Sequence, residues 1–244
     1  MKTRIENIRL DKFDYVLADE IIFTINQAIE EKGSCTISLA GGKTPASIYG
    51  LLAIPPRVNE VDWSKVYFFY GDERFVSTSD TRNNFNMSKE RFFSAAKINP
   101  DNVFYMNTNL ATAKETALAY QETLKTELMK HNQEIAFDLV LLGMGQDLHF
   151  ASIFPNSEVF NDNTENFVFD VINTSDQSQR VTLSHKVIFN SKLIYFIVKG
   201  KAKTDALKKV FELESFDPKF PASIYNNHLD KVIWFIDSEA GFEI

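Results

Sequence analysis

Apolar residues Phe13, Val16, Leu17, Ile21, Ile25 and Ile29 recur at helical spacing, which predicts an amphipathic helix over Asp11 to Lys32. Short apolar runs then alternate with further helical patterns. "CTISLA", "KVYFFY", "FDLVLLG", "RVTLS", "LIYFIVK" and "KVIWFID" read as strands. "PASIYGLLA" reads as a helix with Pro45 at its first position. "NMSKERFFSAA" and "KAKTDALKKVFEL" read as helices, and the alanine-rich "ATAKETALAYQETLKTELMKH" as a long one. Several strand runs are apolar throughout, as strands covered on both faces are. The alternation predicts an α/β fold, a mostly parallel sheet with helices on both faces. "NSEVFNDNTEN" and "NTSDQSQ" read as polar loops rather than linkers, and no repeat of fixed period interrupts the pattern. Residues 1–244 therefore read as a single domain.

Open sheets of this kind bind ligands beyond the carboxyl ends of their strands. After "CTISL" comes "AGGKTP". Gly41 and Gly42 permit close backbone approach, Thr44 fits an N-cap, and free N–H groups at the helix start suit a phosphate. Taken alone, the motif reads better as a tight strand-to-helix turn, with Lys43 solvated. After "KVYFFY" come Asp72, Glu73 and Arg74. Arg74 has the geometry for a bidentate phosphate contact, although an isolated cluster of this kind is more often a surface ion-pair loop. Asn84 reads as a polar contact or a helix cap. After "FDLVLLG" come Asp147 and His149, two residues apart and so on one side of an extended segment. A histidine beside a carboxylate can take a proton from water. The bland alternative is a capping aspartate and a packed histidine.

Composition narrows the field. The net charge is −7, which argues against nucleic-acid or anionic-membrane partners. An anionic substrate would need donors gathered locally against that charge. No apolar run approaches the ~18 residues of a membrane span, the start lacks the apolar core of a signal peptide, and Cys35 is the only cysteine. These features predict a cytoplasmic protein with Cys35 in its core. There is no nucleophile-elbow serine, zinc-binding histidine helix or P-loop.

Together, in order, the segments resemble the 6-phosphogluconolactonase family over nearly the whole length. "SLAGGKTPASIYGLLA" resembles its glycine-rich phosphate segment, "WSKVYFFYGDERFVSTSDTRNNFNM" its Asp-Glu-Arg segment with a following asparagine, and "DLVLLGMGQDLHFASIFP" its catalytic segment. "RVTLSHKVI", "LIYFIVKGKAKTDAL", "PASIY" and "VIWFIDSEA" are similar to its C-terminal half. The resemblance implies a Rossmann-like fold shared with glucosamine-6-phosphate deaminases and ribose-5-phosphate isomerases. It implies hydrolysis of 6-phospho-D-glucono-1,5-lactone without metal or organic cofactor, by a monomer or homodimer. It implies His149 as base with Asp147 beside it, and Arg74, Lys203 and the Gly41–Gly42 turn as phosphate holders. Thr44, Asp72, Asn84 and Arg180 are further substrate-side candidates by the same resemblance.

The chain departs from the family at Leu148, usually glycine, and at Phe150, usually threonine. The expectation is a loop relaxed away from positive φ, with Leu148 packed beside Phe150 and Ile153, and with Asp147 and His149 still facing the cleft. Two competitors are weighed. The related deaminases read Ile-Ala-Phe-Asn-Glu-Pro after the histidine, whereas here Phe154 stands at the glutamate position. A phosphosugar-binding protein that has lost catalysis is the other, motivated by Leu148.

Overall fold

The computed structural model describes residues 2–241. Its main sheet has the order β1-β9-β8-β5-β2-β3, and every neighbouring pair is parallel. These strands are β1 (Arg4–Ile8), β2 (Cys35–Leu39), β3 (Val66–Tyr70), β5 (Leu139–Leu142), β8 (Leu193–Val198) and β9 (Val232–Asp237). Every residue of β2, β5 and β9 is buried, so both faces of the sheet are covered and the apolar runs have their physical cause. Cys35 lies in that core, and burial pushes its thiol up.

The helices that connect the strands are α1 (Phe13–Lys32), α2 (Lys43–Leu52), α3 (Asn84–Ser88), α4 (Ser94–Ala96), α5 (Ala113–Asn132), α6 (His185–Asn190) and α7 (Thr204–Glu212). A π-helical turn, Lys89–Phe93, joins α3 to α4 and buries Phe92 and Phe93. Among the described residues no helix is long and apolar enough to cross a membrane.

A second sheet lies outside the expected pattern. It has the order β4-β7-β6, with β4 (Asp72–Arg74), β6 (Val168–Ile172) and β7 (Gln179–Leu183) all antiparallel. "RVTLS" therefore forms part of this sheet, and Asp72–Arg74 is a short strand rather than a surface loop.

Topology locates the site. The chain passes from β2 to β3 in one direction across the sheet, and from β5 through β8 to β9 in the other. The reversal falls between β2 and β5, where a crevice opens at the carboxyl ends. The ladder there is short, with only Ile37 opposite Leu139 and Ser38 opposite Val140. At its far end buried Asp138 accepts from the N–H and hydroxyl of Thr36, with Lys32 at 2.8 Å and Lys192 at 3.3 Å. The two strands are pinned at one end and part at the other.

Candidate active site

A cleft of about 230 Å³ occupies the crevice. Its walls come from the ends of four strands: Leu39 to Gly41 after β2, Gly71, Asp72 and Arg74 after β3, Leu141 to Gly145 and His149 after β5, and Lys203 after β8.

The first wall is a glycine turn. Gly42 has φ 107 and ψ 176, open to glycine alone, and serves as N-cap of α2 without any side-chain cap. The N–H groups of the first turn are thus left for an anion. A Cβ on Gly41 would lie 1.9 Å from Asn84 Oδ1, so the close approach requires glycine. Tyr49 reaches back from α2, its hydroxyl accepting from the Ala40 N–H at 3.1 Å and donating to the Ala40 carbonyl at 3.0 Å. The helix starts two residues before the expected position. Thr44 is consequently not the N-cap but lies within the first turn, and Pro45 is its third residue. Thr44 does not line the cleft.

The second wall gathers cations. Arg74 and Arg180 are directly opposite across β4 and β7, and like charges so placed repel unless an anion joins them. Arg74 Nη1 donates to the Arg82 carbonyl at 2.8 Å, while its buried Nε has no acceptor. Burial first, and Arg74 second, pull Arg180 below its ordinary pKa; its Nε donates to Ser178 Oγ. Lys203 Nζ donates to the Met144 carbonyl at 2.7 Å, and burial lowers its pKa against the opposing pull of Asp147. Arg180 and Asn84 do not line the cleft itself. Asn84 is buried, and its Nδ2 donates to the Asp72 carbonyl at 2.9 Å.

His149 supplies the reactive edge. Its Nδ1 lies 2.6 Å from Asp147 Oδ1, and this hydrogen bond, before any other cause, holds the Asp147 carboxyl below the usual range. With Nδ1–H donated to the carboxylate, Nε2 carries the free lone pair. The side chain of His149 is 32% exposed and the ring lines the cleft as expected, whereas Asp147, expected to face it too, is not among the lining residues. The loop is not relaxed. Leu148 has φ 67, a left-handed backbone, which overturns the expectation of a different path. The packing part of that expectation does hold, because Leu148 is only 2% exposed. Two hydrogen bonds enforce the turn: Gly145 N–H to the His149 carbonyl at 2.8 Å, and Ala222 N–H to the Leu148 carbonyl at 2.9 Å. Among the described residues, no group of three or more His, Cys, Asp or Glu side chains is arranged to hold a metal ion.

A family model described as glucosamine-6-phosphate isomerases/6-phosphogluconolactonase matches residues 11–234. The chain belongs to this family. A 6-phosphogluconolactonase of Synechocystis is 32% identical over 89% of this chain and 88% of its own length. The crystal structure of the Thermotoga maritima 6-phosphogluconolactonase superposes with a TM-score of 0.80 at 29% identity, covering 97% of this chain and 100% of that one. A monomeric glucosamine-6-phosphate deaminase shares the fold at 22% identity and a TM-score of 0.79, covering 97% of this chain and 98% of that one.

Phe150 fills the core against Phe189 and Phe196, with centroids 5.6 and 6.1 Å away. Three structural residues escaped the sequence reading of candidate sites. Glu73 is fully buried and accepts from the N–H groups of Arg74, Asn84 and Phe85, fastening α3 to β4. Strand alternation was the available signal, because Asp72 and Arg74 facing one way puts Glu73 the other. Gly145 has no room for a Cβ, which would meet His149 Nδ1 at 2.2 Å. Ser152 donates to Asp72 Oδ2 at 2.6 Å, a pairing between distant segments that no local pattern announces.

Proposed function

We propose that this chain hydrolyses 6-phospho-D-glucono-1,5-lactone to 6-phosphogluconate, with His149 as general base. The observation that carries the reading is His149, hydrogen-bonded to Asp147, lining one cleft with Arg74, Lys203 and Gly41, the residue before the uncapped start of α2. The named activity of the family relatives supports the same substrate.

In this mechanism Nε2 of His149 takes a proton from water as the water oxygen bonds to the lactone carbonyl carbon. The carbonyl electrons move onto oxygen, and Asp147 stabilises the imidazolium that forms. Collapse of the adduct breaks the bond to the ring oxygen, which receives the proton from Nε2. Arg74, Lys203 and the α2 N–H groups hold the phosphate far from the reacting carbon, so binding energy there orients the carbonyl. Gly41 and Gly42 form the phosphate turn, Asp72 meets the sugar hydroxyls, and Asn84 and Arg180 brace these groups. Phe154 supports hydrolysis over isomerisation. It lies 5.0 Å from the His149 ring centroid, and it has no proton to exchange. The left-handed Leu148 supports turnover over binding alone, because it leaves His149 in the cleft. We place the protein in the cytoplasm as a monomer or homodimer, which light scattering distinguishes.

The test follows lactone hydrolysis against the spontaneous background. His149→Ala is expected to lower kcat by about 10²–10⁴ while binding of 6-phosphogluconate is retained. A variant with near-wild-type turnover would remove His149 from the role. Unphosphorylated gluconolactone is expected to be a poor substrate, and equal efficiency on both lactones would show that no phosphate site operates.

A further inference from the structure

Ser152 does not line the cleft, yet it joins two of its walls. The residue is 1% exposed. Its hydroxyl donates to Asp72 Oδ2 at 2.6 Å, and its N–H donates to Thr182 Oγ1 at 3.2 Å. Asp72 and Thr182 are themselves partners across β4 and β7. One residue of the His149 loop is thus bolted to a facing pair on the small sheet. The Asp72 carbonyl is held separately by Asn84, so both ends of Asp72 are anchored. Its Oδ1 is left without a protein partner among the described residues, on a side chain that lines the cleft.

We propose that Ser152 is a positioning residue for the sugar. It fixes the Asp72 carboxylate in one orientation, so that Oδ1 accepts a hydroxyl of a polyol phosphate. Because Ser152 also belongs to the His149 loop, the hydroxyl acceptor and the base keep a set separation. The pattern Ile-Ala-Phe-Asn-Glu-Pro of the related deaminases puts phenylalanine at this position, which has no hydroxyl to donate. A chain that follows that pattern cannot form the Ser152–Asp72 bond. This inference rests on the lactonase reading for its substrate class.

The experiment is a double-mutant cycle in the full chain with Ser152→Ala and Asp72→Ala. Calorimetry reads Kd for 6-phosphogluconate, and kinetics read KM and kcat for the lactone. Losing one hydrogen bond of ordinary strength predicts a roughly fivefold weaker Kd and a similarly raised KM for Ser152→Ala. Its kcat should stay within about twofold, since the N–H bond to Thr182 still holds the loop. Inhibition by inorganic phosphate should not change, because the phosphate end is untouched. In the Asp72→Ala background, Ser152→Ala should have no further effect. Ser152→Cys keeps most of the volume with a weaker donor; it should fall between, and it stands in if the alanine variant does not fold. A wild-type Kd in Ser152→Ala, an undiminished loss without Asp72, or a parallel loss of phosphate inhibition would each overturn the proposal. A wild-type chain that binds 6-phosphogluconate with the cycle intact, yet hydrolyses no lactone, sinks the lactonase reading alone. One that does not bind 6-phosphogluconate sinks both.

Discussion

Leu148 carries two opposed terms. Its left-handed backbone costs about 1–2 kcal/mol for a residue with a Cβ. Its buried side chain returns about 2–3 kcal/mol. Leu148→Gly releases the strain, loses the burial, and adds chain entropy of about 0.5–1 kcal/mol to the unfolded state. The expected outcome is net destabilisation of about 1–2 kcal/mol. Leu148→Ala loses most of the burial and, keeping the strain, gains no offset, so it should destabilise by about 2–3 kcal/mol. Alanine should therefore be worse than glycine, the reverse of the order on an ordinary helix. Urea unfolding of the two variants reads that order directly, and a less stable glycine variant would contradict the backbone assignment. The family resemblance implied a leucine in place of a glycine. It did not show that the carbonyl of Leu148 accepts from the Ala222 N–H while the residue is left-handed.

At the scale of elements, the buried Glu73 clamp has a pH signature. Burial raises its carboxyl from 4.5 to about 7, against the lowering effect of the three N–H donors. A raised folded-state pKa means that the folded chain holds the proton more tightly. The associated stability is fully present below the unfolded value and is lost as pH rises through about 7. The difference in stability between wild type and Glu73→Gln should therefore shift with pH, against the wild type, by up to ~3 kcal/mol across that window. Melting curves from about pH 4.5 to pH 8 check this, and a pH-independent difference would refute it. Legibility followed local patterning. β2, β5 and β9 announced themselves because burial on both faces demands continuous apolar residues. The β1 strand was missed because "RIENI" sits at a sheet edge and keeps polar residues. The three charged residues of β4 become a strand only through β7, far along the chain. Thr44 was misread as a cap because Gly42 and the Tyr49 clasp set where α2 begins.

For the whole molecule, the placement of β5 between β8 and β2 governs the order in which the site is assembled. The Asp138–Thr36 pin closes a gap of 102 residues, far wider than the β2–β3 or β8–β9 connections. Non-local pairing must meet its loop-closure entropy before its contacts form, so it forms late. Refolding from urea should therefore recover Trp234 fluorescence, which reports β8–β9 packing against Phe196, before 6-phosphogluconate binding returns. A Trp63→Phe background isolates that signal, and simultaneous recovery of both would contradict the sequence of events. A chain leaving the ribosome would pair β2 with β3, and so set the Gly41–Gly42 turn, well before β5 brings in His149, the proposed base, and the proposed hydrolysis would wait until β5 is seated.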